Sequence, residues 1–168
     1  MVFKEGVEYV GINAFENCRN LEKIVWAKSI KEVGEYAFAG CSSLKKVKIP
    51  TSVERWGDKV FYKSGLEQVN IPASRTWWGY CVFAKCPELK KVVFEEGIEF
   101  REIIRDGRMM EFSGAWMFYD CKALEEVVFP KKMKMMPVGI FEECSALKKY
   151  RWPEDIEFEY WSPEEKNE

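Results

Sequence analysis

The chain has 168 residues, of which 47% are hydrophobic, 15% aromatic and 32% charged. The 26 basic and 28 acidic side chains leave a net charge of -2, which argues against a nucleic-acid binder, because such domains carry a basic excess. Histidine is absent, which removes the commonest general base, catalytic-zinc ligand and near-neutral pH switch.

Met1 is followed by Val2, Phe3, Lys4, Glu5 and Gly6, which is not a signal peptide. No apolar run approaches the roughly 20 residues needed to span a bilayer, so membrane insertion is not expected. From Phe15 onward the chain repeats. Phenylalanines stand at Phe15, Phe38, Phe61, Phe83, Phe118 and Phe141, in steps of 23, 23, 22, 35 and 23 residues. Four residues before each lies Gly11, Gly34, Gly57, Gly79, Gly114 or, as the exception, Pro137. Three residues after each lies Cys18, Cys41, Ser64, Cys86, Cys121 or Cys144, and next comes Leu21, Leu44, Leu66, Leu89, Leu124 or Leu147. Apolar residues follow each leucine at the third and fifth positions, as in Leu44, Val47, Ile49 and in Leu89, Val92, Phe94. That alternation is the signature of a strand with one buried face, and Pro50, Pro72, Pro130 and Pro153 mark strand ends.

One such unit cannot bury its own apolar face, so successive units must stack as rungs of a solenoid. In-register strands then lie ~4.8 Å apart, and each column of residues becomes a ladder. Leu, Val/Ile and Phe columns form the core, together with Trp26, Trp56, Trp78 and Trp152. The Gly column marks a sharp turn where side chains cannot fit. Five of the six cysteines fall in one column, with no CxxC pair, and read as buried reduced thiols rather than a disulfide or metal framework. Cys81, outside that column, is the one cysteine expected to be partly exposed and open to reaction.

The residue after the ladder leucine reads Glu22, Lys45, Glu67, Lys90, Glu125, Lys148, alternating in sign at every step. Opposite charges are then expected side by side on neighbouring rungs. Further along the strand, outward columns carry Lys46, Lys48, Lys91 and Arg151, a basic lean without interleaved aromatics on the expected ligand face. An acidic protein or a glycan would suit it; solvated lysines are the plainer reading.

The repeat breaks in two ways. The step of 35 holds an insertion, about residues 99–112, in which Asp106-Gly107 signals a two-residue hairpin turn. That turn pairs Arg105 with Arg108, Ile104 with Met109, Ile103 with Met110 and Glu102 with Glu111. Ile103, Ile104, Met109 and Met110 then pack on the solenoid or on a partner, and the sequence leaves both open. The second break is aromatic. Trp77, Tyr80, Trp116 and Tyr119 occupy columns that elsewhere hold residues such as Glu32, Arg55, Glu35, Asp58 and Lys59. They form an exposed interface patch or a satellite core beneath the insertion. At the ends, residues 2–7 mimic the end of a rung, and Ile156, Phe158 and Tyr160 read as a last strand. Residues 162–168 read as a disordered acidic tail.

The unit running through Gly34, Ala37, Phe38, Cys41, Leu44, Val47, Ile49, Pro50, Ser52 and Val53 resembles the BspA-like (Treponema pallidum type) leucine-rich repeat, over about residues 7–153. The resemblance implies a leucine-rich repeat solenoid, a right-handed superhelix that is β-rich. Its in-register parallel sheet would line the concave face, with short strands, turns or 3-10 segments on the convex side and one inserted β-hairpin. The rungs together with both ends read as a single domain over 1–161 with about six rungs. Members of that family are typically bacterial or protozoan surface proteins that bind host matrix proteins or mediate adhesion. The implied role is therefore a non-enzymatic protein-binding module at the cell surface or outside it, without cofactor or metal. The alternative is a scaffold or homo-oligomer assembled through the hairpin or the open solenoid ends. A third class, an enzyme using Cys81 or a carboxylate pair such as Glu95/Glu96 or Glu142/Glu143, lacks an evident nucleophile–base pair.

Overall fold

A computed structural model of the protein describes residues 1–74, 76–100, 102–105, 108–133 and 135–153. The described residues contain strands and turns but no helix. Two parallel ladders run along the stack. The first joins β4 (Gln68–Ile71), β6 (Lys91–Phe94) and β9 (Glu126–Val128), the strands expected after the ladder leucine. Its register aligns Gln68 with Lys91 and Lys91 with Glu126, and single bridges extend the column to Lys46 and Lys149. The second ladder joins β1 (Tyr9–Val10), β2 (Glu32–Val33), β3 (Arg55–Trp56) and β5 (Trp77–Trp78). Each of these strands is two residues long, too short to show a period in sequence.

Between the second ladder and the ladder leucine, each rung makes a turn that is hydrogen-bonded to the next rung. On this turn the Phe column stacks face to face. Successive centroids lie 5.3, 5.5, 5.3, 5.4 and 5.7 Å apart from Phe15 to Phe141, with interplanar angles of 13° or less. Aromatic pairs add ~0.5–1.5 kcal/mol beyond the area they bury. Trp56 and Trp78 stack likewise at 5.5 Å, and both are fully buried. The Gly column is a site of close approach: a Cβ on Gly79 would lie 2.5 Å from the Gly57 carbonyl carbon.

The sharp conformation sits two residues on either side of the phenylalanine. Asn13, Tyr36, Lys59, Cys81, Trp116 and Gly139 precede it with φ between 52° and 61°. Asn17, Gly40, Lys63, Lys85, Asp120 and Glu143 follow it with φ between 54° and 70°. Both columns are left-handed in every rung. Their amides donate to the next rung, as Lys59 N does to the Tyr80 carbonyl at 2.8 Å and Lys63 N to the Ala84 carbonyl at 3.0 Å.

The thiol column has a polar duty that its residue type did not announce. Each buried thiol donates to the phenylalanine carbonyl of the preceding rung: Cys41 to Phe15 at 3.3 Å, Cys86 to Phe61 at 3.2 Å, Cys121 to Phe83 at 3.2 Å and Cys144 to Phe118 at 3.1 Å. All six cysteines are free. Burial pushes the Cys41 and Cys144 thiols up to about 11. Cys18 departs from the expected burial and is exposed, because its rung has no neighbour on that side to cover it. At the other end of the described residues Tyr150 is exposed and Leu147 and Trp152 are half-buried. Trp26, expected in the core, is half-buried beneath Phe3, whose ring stacks on it at 5.7 Å.

The alternating charge column closes one ion pair among the described residues, Lys45–Glu67 at 3.9 Å. Its members are exposed, and long side chains in water lose little by staying apart. The insertion forms an antiparallel hairpin of β7 (Glu102–Arg105) and β8 (Arg108–Phe112). Arg105 pairs with Arg108 and Ile104 with Met109, as the turn signal predicts. Beyond them the register shifts: Ile103 faces Glu111 and Glu102 faces Phe112, rather than Met110 and Glu111. Met110 is thus the extra residue of a β-bulge, which a turn signal alone does not reveal. The hairpin's roots are pinned. Phe100 is buried 6.2 Å from the Phe94 ring, and the Ser113 hydroxyl accepts the Trp78 amide at 2.7 Å. Asp106-Gly107, the strand expected at 156–160 and the tail 162–168 lie outside the described residues.

Candidate functional site

The aromatic residues that break the repeat sit on the outer side of the turns in rungs four and five. Trp116 occupies a left-handed position with φ 52°, which turns its side chain away from the stacked phenylalanines. It is 37% exposed, the largest side chain so placed among the described residues. Its indole lies across Gly139 of the next rung, where an added Cβ would fall 2.6 Å from Trp116 Cδ1. The indole N–H donates to Glu142 Oε2 at 2.9 Å. A glycine below and a carboxylate at the edge thus hold the ring in one orientation. Tyr80 completes a corner, its ring centroid 6.3 Å from that of Trp116 and tilted by 45°. The Tyr80 amide donates to Asp58 Oδ1 at 2.8 Å, so that carboxylate faces the backbone.

Tyr119 and Trp77 stand apart from this corner. Tyr119 is half-buried, with the Lys85 ammonium 5.8 Å from its ring centroid. Trp77 is half-buried on the outer side of β5, beside Arg55 in register, and no ring contact joins it to Tyr80 or Trp116 among the described residues. The expected patch is therefore a corner, Tyr80–Trp116, with Tyr119 and Trp77 as separate flanks. The side chains of Ile103, Ile104, Met109 and Met110 lie outside the described residues.

The lysines of the strand face are spread along a different stretch of the rung. Lys46, Lys48 and Arg151 are exposed. Lys91 is half-buried and bound to Glu126 Oε1 at 2.9 Å, so an anion would compete with that carboxylate for it.

The candidate reactive groups named from the sequence, Cys81 and the paired glutamates, do not come together among the described residues. Cys81 is half-buried, and burial raises its thiol above the ordinary value, the opposite of an activated nucleophile. No cluster of three potential metal ligands occurs among the described residues. Glu142 is committed to Trp116, and Glu143 receives Lys122 at 3.3 Å.

Sequence reasoning missed a second set of outward side chains. In the same two left-handed columns, Lys59 Nζ donates to the Tyr36 hydroxyl at 2.8 Å and lies 5.2 Å from that ring's centroid. Lys63 sits 5.3 Å from the Tyr62 ring centroid. The usable signal was Asn13, Asn17, Gly40 and Gly139 at the same offsets, because Asn and Gly are the residues that favour left-handed backbone.

Residues 8–106 and 97–160 match a family model described as a BspA type leucine rich repeat region, in six copies. Among solved structures, the chain is similar to a leucine-rich repeat protein of T. pallidum, at 25% identity and a TM-score of 0.69. That match covers 89% of this chain and 67% of the other. A leucine-rich repeat protein of Bacteroides ovatus matches at 24% identity and a TM-score of 0.66, over 92% of this chain and 37% of its own length. The pneumococcal vaccine antigen PcpA matches in fold at 18% identity and a TM-score of 0.62, over 94% of this chain and 35% of its own. No protein of curated function matches the chain.

Proposed function

The chain belongs to the BspA-type leucine-rich repeat family, a family of protein-interaction scaffolds that are generally not enzymes, and from that premise we propose that it is a surface-displayed module for binding a protein ligand. The ligand class is a host-surface or extracellular-matrix protein, as the family resemblance implies. The contact surface is the aromatic corner of Tyr80 and Trp116 with Trp77, Tyr119 and the hairpin's Ile103, Ile104, Met109 and Met110. Lys46, Lys48, Lys91 and Arg151 on the strand face contribute a second, polar contact.

One observation carries the proposal: Trp116 is exposed yet held in place by Gly139 and Glu142. A large ring already fixed in one orientation loses little entropy on binding, and tryptophan is the residue most enriched among binding hot spots. The test is capture of host-surface and matrix proteins on immobilised wild type and on Trp77→Ala/Trp116→Ala. Retention by wild type that the variant loses, with thermal unfolding nearly unchanged, supports the proposal. Equal capture by both, or a variant that loses stability without losing capture, overturns it.

A second reading, self-association, has its own support. The first rung leaves Val2 69%, Ile12 59% and Tyr9 49% exposed, apolar surface that a second copy would cover. A monomeric mass by light scattering at high protein concentration would dismiss it.

A further inference from the structure

We infer that the outer face of the turns, from rung two to rung five, docks an acidic segment of a partner protein that carries an aromatic side chain; this rests on the binding-module reading and names the partner's chemistry. Three lysine–tyrosine pairs stand in consecutive rungs on this face: Lys59 with Tyr36, Lys63 with Tyr62 and Lys85 with Tyr119, the last lysine also lying 3.8 Å from Asp120 Oδ2. The Tyr80–Trp116 corner lies among them. Among the described residues, neither Lys59 nor Lys63 has a carboxylate within 4 Å. Asp58, next to Lys59 in sequence, is turned onto the Tyr80 amide.

The backbone does not require these side chains. Left-handed φ costs a residue with a Cβ about 1–2 kcal/mol, least for Asn and Asp. The end rungs meet the demand with Asn13 and Gly139, whereas the middle rungs carry Tyr36, Lys59, Cys81 and Trp116. Bulk and charge are thus placed outward against local preference, where they do nothing for the core.

Each of these ammonium groups lies beside a tyrosine ring, a setting that favours a carboxylate ligand. Tyrosine and tryptophan rings supply the apolar contact for an aromatic side chain. Four rungs at ~4.8 Å spacing span about 14 Å, the reach of four or five extended residues. A nucleic-acid strand fits less well: a peptide's carboxylates need meet only Lys59 and Lys63, with its ring toward Tyr80 and Trp116, whereas continuing phosphates would run past Asp120, Glu142 and Glu143 at the rung-five end. The strand-face lysines fit an acidic aromatic segment less well, because Lys91 is tied to Glu126 and no ring accompanies Lys46 or Lys48.

The probe is a fluorescein-labelled octapeptide of glutamates around a central tyrosine, followed by anisotropy. Wild type should bind it saturably, and more weakly as salt rises. Lys59→Glu/Lys63→Glu should weaken binding by about tenfold or more, while Lys46→Glu/Lys48→Glu changes it by less than about twofold. Lys63→Gln alone, with its unfolding midpoint checked, serves if the double variant does not fold, and should still weaken binding. Equal losses on the two faces, or tighter binding of a labelled oligothymidylate, would overturn the assignment. So would wild type that captures a protein through Trp116 yet ignores the peptide, and that outcome would leave the binding-module reading standing.

Discussion

Phe83 and Cys81 lie two residues apart on one turn, the first packed inward and the second turned outward. Along the inward column every rung repeats phenylalanine, because each ring is the floor and ceiling of its neighbours. Along the outward column the rungs repeat only a left-handed backbone, and the side chains run through Asn13, Tyr36, Lys59, Cys81, Trp116 and Gly139. The solenoid thus separates two demands within three residues. Packing fixes residue type on one side, and only φ is constrained on the other. A binding surface can vary on the outward side without disturbing the stack.

The contrast predicts a large cost for changing the inward side. Phe83→Ala removes the ring between Phe61 and Phe118 and should lower unfolding free energy by about 3–5 kcal/mol, read by chemical denaturation. A loss below about 1 kcal/mol would mean the stack is not what holds the rungs together. The thiol column should respond next. Cys121→Val keeps the bulk but leaves the Phe83 carbonyl without its donor, and should cost about 1–3 kcal/mol. Cys121→Ser should cost less than Cys121→Val, since buried Ser64 already occupies that column. Were serine the worse of the two, apolar filling would outweigh the hydrogen bond.

That column also sets a pH window. The Cys41 and Cys144 thiols titrate near 11 in the folded chain and near 9 when free of it, so folding favours their neutral form. Their contribution is fully present below pH 9 and is lost as pH rises toward 11. Unfolding free energy should therefore fall across that interval, and less so in Cys41→Ser/Cys144→Ser. A flat profile would show these thiols are not shielded. The smallest effect has the opposite sign. Glu143→Gly relieves a φ of 63° at the cost of an exposed contact to Lys122, and should raise stability by about 0.5–1 kcal/mol in the same denaturation experiment. A net loss would show that Glu143 does more than pair with Lys122.

The inward half of this contrast was legible in the sequence, and the outward half was not. Core columns repeat chemistry, so Phe, Leu and Cys at constant offsets reveal rungs, register and the strand joining Gln68, Lys91 and Glu126. The second ladder escaped because Glu32–Val33 and its partners are two residues long. The left-handed columns escaped because Lys, Tyr, Cys and Trp do not announce that conformation. The hairpin was legible at its tip, where the turn sets the pairing, and not past Met110, where a bulge resets it. Of the candidate site, the exposed Trp116 was visible as a departure from the repeat. Its support by Gly139 and Glu142 depends on stacking across rungs and was not.

The separation of the two sides is tested most directly by replacing the outward column at once: Tyr36→Asn, Lys59→Asn, Cys81→Asn and Trp116→Asn in one chain, with unfolding free energy measured by denaturation. Asn13 already fills this column in the first rung, so the variant should stay folded within about 1 kcal/mol of wild type while losing the acidic peptide. A drop of several kcal/mol, comparable to that of Phe83→Ala, would contradict the account, because the outward side chains would then be part of what builds the solenoid.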